Sequence, residues 1–88
     1  MFMQVDQVAV LRLKAVTEAD PGALVRVLQL FQMRNVVPRR VSAARVGALY
    51  QEIEMEVDRA HLGPDVFRVI VARLNELPVV LAAVACDD

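Results

Sequence analysis

The ten residues Leu49-Tyr50-Gln51-Glu52-Ile53-Glu54-Met55-Glu56-Val57-Asp58 alternate with a period of two. Leu49, Gln51, Ile53, Met55 and Val57 fall on one side, and Tyr50, Glu52, Glu54, Glu56 and Asp58 on the other. Successive side chains of an extended chain point to opposite faces, so the stretch reads as a strand with one core face and one acidic, solvated face. The acidic row finds its complement upstream. Between Val8 and Val16 the chain again alternates, with Ala9, Leu11 and Leu13 on one face and Arg12 and Lys14 on the other. If these two strands are neighbours, Arg12 and Lys14 share a face with Glu52, Glu54 and Glu56, and each opposed pair contributes about 0.2–1 kcal/mol.

Outward from these strands the period changes. Leu24, Val27, Leu28 and Phe31 fall at i, i+3, i+4 and i+7, which predicts a helix with one apolar stripe. Val25 and Leu30 lie off that stripe and are free to meet a partner. Asn35 stands where a left-handed helix cap is wanted. From Val36 to Arg45 the helical period is lost, and Pro38, which has no N–H to donate, places this strand at a sheet edge. Gly47 marks a turn. His61-Leu62-Gly63-Pro64-Asp65 is the next break, with Pro64 at a first helical position. Phe67, Ile70, Val71 and Leu74 form a second helical stripe, Pro78 closes it, and Val79 to Cys86 reads as a last apolar strand. The order βαββαβ predicts an α+β, ferredoxin-like sandwich: a four-stranded antiparallel sheet with two helices on one face and the first and third strands in the centre.

A chain of 88 residues reads as a single domain, 1–88, with its core between about residues 6 and 86. Such a chain buries roughly 60–65% of its unfolded surface. Yet 57% of its residues are apolar, against about 45–50% in ordinary soluble domains. The excess predicts a covered surface, hence an oligomer or a subunit. A net charge of −1 gives no overall field for nucleic acid or an anionic membrane. The single cysteine, Cys86, excludes an internal disulfide framework and fits a reducing cytoplasm. Met1-Phe2-Met3-Gln4-Val5-Asp6 lacks a basic leader segment, and no apolar run approaches the roughly 18–20 residues of a membrane span. A cytoplasmic location is expected.

Catalytic templates are missing. There is no His/Cys/Asp/Glu cluster at metal-ligand spacing, His61 is the only histidine, and no nucleophile elbow, P-loop or dinucleotide fingerprint occurs. The Glu52-Glu54-Glu56 row reads as a salt-bridged face. RNA binding on such a sheet needs stacked aromatics flanked by basic residues, whereas the open face offers Tyr50 among glutamates. Arg34, Arg39, Arg40 and Arg45 read as edge protection or interface ion pairs. The chain is expected to be a non-enzyme.

One stretch keeps two readings. In Asp20-Pro21-Gly22-Ala23-Leu24, Asp20 is a helix N-cap, Pro21 a first helical residue and Gly22 a tolerated glycine. Alternatively, a helix N-terminus with a glycine inside its first turn offers amides to a carboxylate and room for close approach. Asp20 is then placed to receive an ammonium group, and the loop would hold both ends of a free amino acid.

Asp20-Pro21-Gly22-Ala23-Leu24-Val25-Arg26-Val27-Leu28, set between a strand and a helix inside βαββαβ, resembles the ACT domain, a regulatory module that binds amino acids at this loop, usually across a dimer interface. Leu24 to Arg34 and Leu74-Asn75-Glu76-Leu77-Pro78-Val79-Val80 are similar to the regulatory small subunit of acetolactate (acetohydroxyacid) synthase in its short, single-domain form. The resemblance spans residues 6–86. It implies a non-catalytic subunit of branched-chain amino acid biosynthesis that binds and activates a catalytic subunit, forms a homodimer through sheet edges or helices, and mediates feedback by an amino acid such as valine. It implies no cofactor on this chain; thiamine diphosphate, magnesium and FAD belong to the catalytic partner. The alternative is a stand-alone ACT-type sensor acting on another enzyme. The implied effector-binding residues are Asp20, Pro21, Gly22, Ala23 and Leu24, with Val37 at the second strand. Effector-sensing members tend to carry asparagine there; Val37-Pro38 is a departure that removes a polar contact.

Overall fold

The computed structural model describes residues 9–86. Six elements follow one another: β1 Val10–Glu18, α1 Pro21–Gln32, β2 Arg40–Val46, β3 Tyr50–Asp58, α2 Pro64–Leu74 and β4 Val80–Cys86. The strands form one sheet in the order β2-β3-β1-β4, with every neighbouring pair antiparallel. The βαββαβ order and the central β1–β3 pair therefore stand as the alternation predicts. The start expected at Val8 lies outside the described residues.

The charged face sets the register. Arg12 lies opposite Glu56 and Lys14 opposite Glu54. The ion pairs Arg12 Nε–Glu56 Oε2 and Lys14 Nζ–Glu54 Oε2 measure 3.1 and 3.8 Å. Each is at the surface and contributes at most about 1 kcal/mol. Their larger effect is on pairing: slipping β1 by one residue against β3 would turn every core side chain into water.

The other face is the core. Leu11, Leu13 and Ala15 of β1 meet Ile53, Met55 and Val57 of β3, and Val80 and Ala83 extend the layer on β4. Above them lie Val27 and Phe31 of α1 and Phe67, Ile70 and Leu74 of α2. Burying one such large side chain contributes about 1.5–3 kcal/mol. The helical stripes sit slightly rotated from the expected ones. Ala23 rather than Leu24 is innermost on α1, and Leu24, Leu28 and Val71 are partly buried flanks. Leu30 does not face outward as expected: it packs against the core, in a cleft with Met33, Arg34, Ile70 and Arg73.

The second strand begins at Arg40, later than the expected Val36, for a local reason. Asn35 takes φ 57°, and the Val36 N–H then turns back to the Phe31 carbonyl at 3.1 Å. Val36 is buried as the apolar residue that seals the helix end. At the other end of β2, Gly47 sits at φ +68° in the turn to β3, a conformation other residues resist.

All seven residues of β2 are exposed. Val41 and Ala43 are register partners of Met55 and Ile53, so they point to the helix side of the sheet. Neither α1 nor α2 covers them there. Val41, Val37 and Val25 are 38%, 80% and 52% exposed, and this region carries part of the apolar excess noted in the composition.

Candidate functional site

The loop between β1 and α1 is tied down on both sides. The Glu18 N–H donates to the Val79 carbonyl at 2.8 Å, just before β4. The Ala19 N–H donates to the Leu49 carbonyl at 2.9 Å, in the β2–β3 turn. From β3, the Gln51 side-chain amide reaches the carbonyls of Glu18 and Asp20 at 3.5 and 3.4 Å.

Within this frame Asp20 is the N-cap, extended at φ −113°, ψ 131°. Its Oδ1 accepts the Gly22 N–H at 2.7 Å, and its carbonyl accepts the Ala23 N–H at 3.0 Å. Pro21 has no N–H. The capping reading thus holds in full, and the first amides of α1 are engaged within the chain. An incoming carboxylate takes the Gly22 N–H only by displacing the Asp20 side chain.

Gly22 is not explained by this capping. Its φ lies outside the left-handed region, and an added Cβ would meet only Asp20 Oδ1, at 3.4 Å. Folding does not demand glycine here. Its absence of a side chain leaves the mouth of the helix open.

The candidate residues are not all on one surface. Asp20 and Pro21 line a wide depression of about 470 Å³ together with Glu18, Ala19, Ala48, Leu49 and Tyr50. Gly22, Ala23 and Leu24 do not line it; Ala23 is fully buried and presents nothing to a ligand, while Gly22 and Leu24 are half-buried. Val37 stands beyond the far end of α1. A helix of 12 residues is about 18 Å long, so one chain does not bring Val37 to Asp20.

Sequence reasoning missed Ala48, Leu49, Tyr50 and Gln51 as neighbours of the loop. A signal for them existed. Once Arg12 is set against Glu56, counting along antiparallel strands puts Glu18 opposite Tyr50, as found.

Other chemistry is sparse. Among the described residues no group of three or more His, Cys, Asp or Glu side chains is close enough to hold a metal ion. His61 Nδ1 lies 3.7 Å from Asp58 Oδ2, with most of the imidazole in solvent. No described helix is long and apolar enough to cross a membrane.

The sheet order and the two helices define a ferredoxin-like fold, the one that ACT domains have. Several solved structures share it. The C-terminal domain of the MgtC protein from Mycobacterium tuberculosis superposes with a TM-score of 0.73 at 15% identity, over 96% of this chain and 92% of that one. The ACT domain from GTP pyrophosphokinase of Chlorobium tepidum gives 0.68 at 10% identity, over 91% of this chain and all of the other. The regulatory subunit of aspartate kinase from Thermus thermophilus gives 0.69 at 14% identity, over 91% of this chain and 52% of that one. No protein-family model matches the sequence, and no curated protein sequence matches it.

Proposed function

We propose that this chain is an ACT-type regulatory module that binds a free amino acid at the β1–α1 turn. The observation that carries the reading is Gly22: neither backbone conformation nor packing requires it, and it stands at the mouth of a helix beside an aspartate. Binding would proceed by exchange. The ligand's carboxylate replaces Asp20 Oδ1 on the Gly22 N–H, and the released Asp20 carboxylate receives the ligand's ammonium. One anion substitutes for another on the positive end of the helix, so the helix stays capped.

The site would be completed by a second copy. Pairing β2 antiparallel with β2 of another molecule places the residues before one strand next to the turn after the other. Val37 and Pro38 of one copy then lie beside the Gly47–Leu49 turn of its mate, and Leu49 already holds the Asp20 loop. The exposed β2 face and Val25 supply apolar surface for this contact. Val37, apolar where a polar contact to the ligand's ends is usual, would supply no such contact, so Asp20 and the Gly22 N–H would hold an effector such as valine without help from this position.

The partner we propose is the catalytic subunit of acetolactate synthase, which would carry thiamine diphosphate, magnesium and FAD while this chain carries none. Regulation would follow from differential binding: the subunit, with or without effector, favours one state of its partner. Support comes from the Leu24–Arg34 and Leu74–Val80 stretches and from the fold. The related folds belong to proteins with different roles, so a sensor acting on another enzyme is the competing reading.

Two experiments test this. Calorimetry with a panel of amino acids should show heat with a branched-chain amino acid, abolished by Gly22→Asp while the variant remains folded. No heat with any of them overturns the ligand site. Mixing with the catalytic subunit should give co-elution and faster acetolactate formation; neither effect would reject that partner and leave the sensor reading standing.

A further inference from the structure

The outer edge of β4 presents a problem of its own. Val80 to Cys86 is seven residues long, and the run contains no charge and no proline. Leu81 and Val84 are 51% and 55% exposed. An uncharged apolar edge strand is a template for pairing with another chain. It is also self-complementary: a two-fold axis at Ala83 would set Ala83 against its own counterpart and Ala85 against Leu81, with no like charges opposed.

The edge is occupied by a side chain. Asn75, just after α2, donates from Nδ2 to the Ala83 carbonyl at 2.8 Å. Its Oδ1 accepts the Ala83 N–H at 3.0 Å. Both backbone groups of Ala83 therefore point away from β1, and one amide answers both. This is the two-bond exchange that a residue of a fifth strand would make. The other Nδ2 hydrogen goes to the Val71 carbonyl at 3.1 Å, and the Asn75 backbone N–H goes to the same carbonyl at 3.1 Å. The amide is thus fixed to the helix end and cannot swing clear without losing a further bond.

The neighbouring outward position is blunted too. Val16 pairs with Ala82 but Thr17 with Val80, which leaves Leu81 as the extra residue of a bulge. With Leu81 displaced and Ala83 occupied, Ala85 is the one described residue of β4 left to offer an outward N–H and C=O in regular strand geometry.

We propose that Asn75 is an edge guard: it imitates a neighbouring strand at Ala83 and so prevents β4 from pairing with β4 of a second copy. The role is independent of the effector site and of any contact through β2.

The test uses the full chain under reducing conditions. Asn75→Ala should sediment at twice the mass of the unmodified chain at the same concentration, or at higher multiples where β2 edges are also paired. Adding Ala85→Lys to that variant should return the mass to the starting value, because the lysine lies on the opened edge. A folded Asn75→Ala protein with unchanged mass up to high micromolar concentration overturns the proposal. So does an increased mass that persists with Ala85→Lys. A measurement on the unmodified chain decides the matter if the variant does not fold. The Ala83 amide, which has Asn75 as its acceptor, should exchange with solvent at least tenfold more slowly than the outward Ala85 amide. Equal rates would mean that the guard is not in place.

Discussion

β2 and β4 are both seven-residue edge strands of one sheet, and they meet the same hazard by opposite means. β2, Arg40-Val41-Ser42-Ala43-Ala44-Arg45-Val46, is exposed along its whole length and carries two arginines, with Pro38 shortly before it. β4 carries no charge, buries Val80 and Ala83 in the core, and has its middle occupied by Asn75. Charge guards the edge that no helix covers. Where a helix end reaches the edge, a single amide suffices and the strand is free to be apolar. The difference also separates two roles. β4 is part of the core, whereas β2 adds little to it and leaves an apolar face for something else.

One substitution made on both edges would break this comparison most sharply. Ala83→Asp buries a carboxylate without a partner and should cost about 3–5 kcal/mol in chemical denaturation. Ala43→Asp, at the exposed equivalent, should cost less than about 1 kcal/mol. Equal losses would mean that β2 is as much a core strand as β4. Next in size is Asn75→Ala, which removes three side-chain hydrogen bonds and should lower stability by about 2 kcal/mol at concentrations where the chain does not associate.

Smaller effects sharpen the picture. The β1–α1 loop is tied to the ends of both edges, through Val79 and Leu49. Asp20→Ala should therefore cost about 1 kcal/mol, the usual loss of a cap, without releasing the loop. Unchanged exchange protection at the Ala19 amide would check this. Gly47→Ala strains the turn after β2 and should cost about 1 kcal/mol in thermal unfolding. Last, Lys14→Gln removes an exposed ion pair at 3.8 Å and should change stability by less than about 0.5 kcal/mol, with little dependence on salt. A larger loss would make the charged face a source of stability rather than of register.

Much of this fold was legible because two periodicities dominate it. The alternation in Leu49–Asp58, matched by Arg12 and Lys14, identified the central pair, and the register confirms that pairing. The cap at Asp20 and the left-handed Asn35 were equally readable, since both follow from local backbone chemistry. The helix faces were less so. Ala23 and Leu24 are adjacent and both apolar, and only packing decides which turns inward. The start of β2 was misplaced because Val36 looks like a strand residue, while its backbone completes a helix end. As for the candidate loop, the capping roles of Asp20 and Pro21 were visible, but Gln51 and Leu49 reach it only through the tertiary register. Asn75 was the least legible of all: an asparagine after a helix suggests a cap, and nothing in the sequence says that it also closes a strand.

The strand order has a further consequence, for how the chain reaches this structure. β1 and β2 flank α1 in sequence, yet β3 lies between them in the sheet; β3 and β4 flank α2, yet β1 lies between them. Each strand–helix–strand half thus leaves a gap one strand wide, and the first strand of the other half fills it. Neither half owns a continuous sheet, so neither is a folding unit. Only the β2–β3 hairpin is local; the central pair joins residues such as Arg12 and Glu56, 44 positions apart. Closing such long loops precedes any return from pairing, which makes folding slow relative to a helical chain of this length. Interleaving of this kind leaves no stable halfway product, and unfolding should proceed in one cooperative step.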